Sequence, residues 1–84
     1  MAEFTWLENS KTVFDESLKA APMPFRGVTK KGLDKGLTKL VGDGGDVREA
    51  DVVRAIREST PAPFVAMGLK AIEPFLTDSS ILDR

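Results

Sequence analysis

Residues 22–41, PMPFRGVTKKGLDKGLTKLV, decide how this chain folds. Pro22 and Pro24 set a rigid entry, because proline holds its own φ and pushes the preceding residue out of the helical region. The rest reads as one helix, Pro24 to Val41, rich in lysine and glycine. Wound on a helical wheel, Phe25, Thr29, Gly32, Leu33, Gly36, Leu37 and Leu40 share one side. Lys31, Asp34, Lys35, Thr38 and Lys39 share the other. Glycine inside a helix costs about 1 kcal/mol against alanine. Gly32 and Gly36 on the apolar side therefore predict close approach by a neighbouring helix, for which a missing Cβ makes room. This helix is the expected packing centre.

Upstream, Leu7, Phe14, Leu18 and Ala21 recur at helical spacing, with Val13 beside them. Thr5-Trp6-Leu7-Glu8 has the form of a capping box. A first helix is thus expected from Trp6 to Ala20, stopped by Pro22 and Pro24, with Trp6 either anchoring the edge of the core or offering its exposed edge to a functional contact. Downstream, Gly42-Asp43-Gly44-Gly45-Asp46 supplies glycine for a left-handed helix end, and Asp46-Val47-Arg48-Glu49 resembles a second capping box. The third helix then runs from Val47 to Ser59, with Val52, Val53 and Ile56 on one side, Ala55 at their margin, and Arg54 and Arg57 opposite. Thr60-Pro61 opens a fourth, to Ile72, that Pro74 kinks or ends. It is apolar nearly all round, through Phe64, Val65, Met67, Leu69 and Ile72, and Phe75-Leu76 continue that character. No period-two alternation marks a strand. The expectation is an all-α domain over residues 1–76, a small bundle of about four short helices. Residues 77–84 read as a flexible tail.

Composition narrows the chemistry. The 84 residues include no Cys, no His and no Tyr, which removes thiolate chemistry, the commonest general base and the commonest metal ligand. Asp15, Glu16 and Glu49 are the remaining acid–base candidates, and the periodicity sets them on polar faces where nothing would perturb them. The acids around residues 43–51 do not have EF-hand spacing, and no Lys-Ser/Thr follows the glycines to make a P-loop. No cofactor and no metal is expected, and the chain does not read as an enzyme. No apolar run is long enough to span a bilayer. Met1-Ala2-Glu3-Phe4 lacks the basic, apolar pattern of a signal peptide, so a cytoplasmic setting is expected.

Charge is unevenly placed. The second helix carries Arg26, Lys30, Lys31, Lys35 and Lys39 against the single acid Asp34, on a chain of net charge −1. Such a face suits an acidic partner or a phosphate backbone. The fourth helix has more apolar surface than one small core can cover, which suits a partner or a second copy of the chain. The candidate contact residues are therefore Arg26, Lys31, Lys35 and Lys39, with Phe64, Met67, Ile72 and Phe75.

Trp6, Leu18, Pro22, Arg26, Asp34, Gly42 and Asp51-Val52-Val53-Arg54 follow the order W…L-x-x-x-P-x-x-x-R…E…G…D-V-x-x-A, with Asp34 in the acidic position. Over residues 6–58 this resembles the small helical domain at the C-terminus of the B subunit of light-independent protochlorophyllide reductase, a domain that also occurs as a standalone protein. The resemblance implies a compact accessory domain beside a nitrogenase-like reductase, whose iron–sulfur and substrate chemistry lies in other domains. Residues and resemblance together lead to a non-catalytic protein-interaction or accessory module, with a protein partner or a homodimer through the fourth helix. The alternative is a small nucleic-acid binder using the lysines of the second helix and the arginines of the third. The net charge and the acids diluting the third helix count against it.

Overall fold

The computed structural model describes residues 4–21 and 23–83. It is helical, as expected, but begins with a strand. Thr5–Trp6 (β1) pairs in parallel with Asp46–Val47 (β2), Thr5 opposite Asp46 and Trp6 opposite Val47. The Thr5 N–H donates to the Gly45 carbonyl (3.0 Å) and the Leu7 N–H to the Val47 carbonyl (2.8 Å). Four α-helices complete the order: α1 (Ser10–Ala20) and α2 (Arg26–Val41) between the strands, then α3 (Glu49–Ser59) and α4 (Ala62–Ile72). Single 3-10 turns lie at Met23–Phe25 and Glu73–Phe75, and a last one at Ser79–Asp83.

The expected first helix therefore loses its opening turn. Thr5 does not cap it, because its backbone is committed to β2. Glu8 instead takes left-handed backbone, φ 55, a conformation that costs a non-glycine residue about 1–2 kcal/mol. This turn sends the Glu8 carboxylate across to α3, where Oε1 accepts the Glu49 N–H (3.1 Å). Arg48 Nη1 lies 3.9 Å from Oε2. A helix opens with unsatisfied N–H groups, and α3 takes one of its partners from 41 residues upstream. The local Asp46–Glu49 box is likewise replaced, since Asp51 accepts the Arg48 N–H at 3.0 Å.

Leu33 and Leu37 of α2 are buried at the centre, as the wheel predicts, beside Val13 and Phe14 of α1, Val47, and Val52, Val53, Ala55 and Ile56 of α3. α2 and α3 form the most extensive helix pair. A Cβ built on Gly36 would lie 3.4 Å from the Ala55 Cβ, and one on Gly32 would lie 3.4 Å from the Ser59 Cβ. Small residues four apart thus face small residues four apart, and the close approach anticipated from glycine spacing is present. Phe25 departs from the wheel: it sits in the 3-10 turn before α2 and is 60% exposed. At the other end, Gly42 (φ 84) releases the chain from α2. Gly45 then passes so near the Val41 carbonyl that no Cβ would fit, which brings β2 alongside β1.

One expectation about a polar residue is overturned, and the C-terminal segment makes contacts the sequence did not suggest. Glu49 lies on no polar face but is completely buried. Its Oε2 accepts the Asn9 N–H (3.2 Å) and the Thr77 hydroxyl (2.7 Å), and its Oε1 accepts the Thr77 N–H (2.7 Å). Of the expected tail 77–84, residue 84 lies outside the described residues, and the rest runs back along the core. Ile81 is buried in the core, and Arg57 donates to the Leu82 carbonyl.

Candidate interaction surfaces

The two sides of α2 each border an open groove. The larger, about 730 Å³, lies between the strand–α1 region and α2 and is lined by Phe4, Trp6, Lys11, Phe14 and by Lys30, Lys31, Asp34 and Lys35. Phe4 and Trp6, two apart around an extended backbone, project to the same side. Their rings meet edge-on at 5.6 Å, and Trp6 tilts against Phe14 at 5.1 Å. Lys11 Nζ lies 5.1 Å from the Trp6 ring centre and 5.4 Å from that of Phe14, and is paired with Asp15 at 3.2 Å. The smaller groove, about 540 Å³, lies between α2 and α3 and is lined by Gly32, Lys35, Gly36, Lys39, Glu58 and Ser59. Lys35 borders both.

The charges differ in how they are held. Lys11, Lys19, Arg48 and Arg54 each have a carboxylate within 4 Å. Among the described residues, Lys30, Lys31, Lys35 and Lys39 enter no such pair. Lys31, Lys35 and Lys39 follow at i, i+4, where like charges destabilise a helix by about 0.2–0.5 kcal/mol per pair. α2 therefore carries an uncompensated positive ridge.

The expected contact residues do not converge on one site. Lys31 and Lys35 border the larger groove and Lys39 the smaller. Arg26 is exposed but engaged: its Nε donates to the Ala21 carbonyl (3.1 Å) and Nη2 to the Lys19 carbonyl (3.2 Å), holding the C-terminal end of α1. Phe64 (54% exposed) and Met67 (63%) present the open side of α4 and line neither groove. Ile72 has to be removed from the set, because it is fully buried in the core. Phe75 is half-buried against that core, and its carbonyl accepts the Asn9 side-chain amide. The aromatic floor of the larger groove escaped the sequence reading. Its signal was the Phe4-x-Trp6 alternation, hidden inside a motif that reads as a helix cap.

Among the described residues, no group of three or more Asp or Glu side chains could hold a metal ion, and no helix is long and apolar enough to cross a membrane. The chain matches no family model, no curated protein and no solved structure. The likeness to the protochlorophyllide reductase domain thus rests on the residues quoted for it.

Proposed function

We propose that this chain is a non-catalytic protein-interaction or accessory module that docks an acidic protein partner on the lysine ridge of α2. One observation carries the reading: Lys30, Lys31, Lys35 and Lys39 stand along one helix without ion-pairing acids among the described residues. An acidic partner would relieve the repulsion between them and gain on-rate from the field. The resemblance over residues 6–58 supports an accessory role and makes a nitrogenase-like reductase the first partner to try. A cytoplasmic setting belongs to the same reading.

The nucleic-acid alternative draws less support, because its arginines are engaged. Arg48 lies by Glu8, Arg54 by Glu58, and Arg57 donates to the Leu82 carbonyl. Self-association is a second reading, favoured by the exposure of Phe64 and Met67.

The test is titration of a fluorescent glutamate-rich peptide and, separately, a labelled DNA duplex. Both are run on the wild type and on the Lys31→Glu, Lys35→Glu double variant at two salt concentrations. Wild-type binding to the peptide, lost at least tenfold in a variant with an unchanged melting curve, supports docking. Tight and steeply salt-dependent binding to the duplex, without peptide binding, overturns it.

A further inference from the structure

We infer that the groove between α1 and α2 receives an acidic peptide segment bearing one large apolar side chain. That side chain rests on Phe4 and Trp6, over the buried Phe14, and flanking carboxylates pair with Lys30, Lys31 and Lys35. The inference rests on the acidic-partner reading and adds to it a place and an anchor. The groove combines an aromatic floor with a cationic wall, and each asks for a different part of the ligand. Its open volume of about 730 Å³ suits a side chain with a stretch of backbone. Lys11 is already neutralised by Asp15, so the unpaired charge comes from α2 alone and lies to one side of the floor.

The same geometry argues against single-stranded nucleic acid. A base needs an open ring face for stacking, whereas Lys11, Phe4 and Phe14 all crowd the Trp6 ring. Asp34 interrupts the lysines along the wall, so a continuous phosphate chain would have to pass a carboxylate. A peptide can set a neutral or donor group there. An aliphatic side chain needs only contact with ring edges and lysine stems, which the groove provides.

Trp6 is the single tryptophan and there is no tyrosine, so intrinsic fluorescence reports on this groove alone. The full chain is titrated with a glutamate-rich peptide holding a central leucine, with the same peptide holding serine instead, and with an oligothymidylate. The leucine peptide should bind at least tenfold more tightly than the serine peptide and shift the Trp6 emission. Phe4→Ala should remove most of that difference while leaving the serine peptide's affinity unchanged. Equal binding of the two peptides without an emission change would overturn the anchored groove and leave the acidic partner standing. Binding of neither peptide overturns both. Preferential binding of the oligonucleotide with quenching of Trp6 would replace the peptide by single-stranded nucleic acid.

Discussion

Both oxygens of the buried Glu49 carboxylate accept from Thr77, 28 residues away: Oε1 takes the backbone N–H and Oε2 the hydroxyl, each at 2.7 Å. With Asn9 on Oε2 as well, one side chain joins the entry to α1, the start of α3 and the segment after α4. Glu49→Ala leaves these part-buried donors without their acceptor. We expect a loss of about 2–4 kcal/mol, seen as a fall in Tm on the order of 10–20 °C. Glu49→Gln, which keeps the shape but turns an amide N–H₂ toward donors, should fall between. An unchanged Tm for Glu49→Ala would remove the carboxylate from the structural account.

The docked C-terminal segment makes a separate prediction. Ile81 is only 8% exposed and packs with the core. Ile81→Ala should cost about 2 kcal/mol, measured by urea denaturation. Hydrogen exchange should show the Thr77 amide, held by Glu49, protected in the wild type and exchanging fast in Glu49→Ala. Free exchange in the wild type would mean that the segment frays.

The α2–α3 contact separates two glycine substitutions that would behave alike on an open helix. A Cβ at Gly36 just meets Ala55, so Gly36→Ala fits and gains up to about 1 kcal/mol of helix propensity. Gly36→Leu has no such room and should cost about 1–3 kcal/mol by overpacking. Thermal denaturation of both variants checks this. A rise in Tm for both would show the contact to be loose.

The open side of α4 bears on self-association. Phe64 and Met67 are exposed while Ile72, on the same helix, is in the core. If a second copy covers that side, light scattering should show mass rising from one chain to two with concentration, and Phe64→Asp should hold the monomer. A strictly monomeric wild type across the range would leave α4 without a self-interface.

Much of the helical layout was legible because it depends on short-range periodicity. The spacing of Leu33, Leu37 and Ile56 set their burial, Gly32 and Gly36 announced the α2–α3 contact, and Pro24 and Pro74 marked helix ends through their own backbone restrictions. The positive ridge was equally plain, since Lys31, Lys35 and Lys39 share a face by arithmetic alone.

What only the tertiary structure decided involves partners distant along the chain. Thr5 and Glu8 form a credible cap locally, yet the backbone of Thr5 pairs with β2 and the carboxylate of Glu8 serves α3. Glu49 reads as an exposed helix-start acid until Thr77 and Asn9 supply donors that make burial affordable. Ile72 and Phe64 are equally apolar in sequence, and only the position of α1 and α3 against α4 determines which is covered. The aromatic groove depends on the same thing, because β1 must be laid beside β2 before Phe4 and Trp6 can face the lysines of α2. Local pattern determines which helices form and which faces are apolar; long-range hydrogen bonds and packing determine which polar groups enter the core and where a ligand could fit.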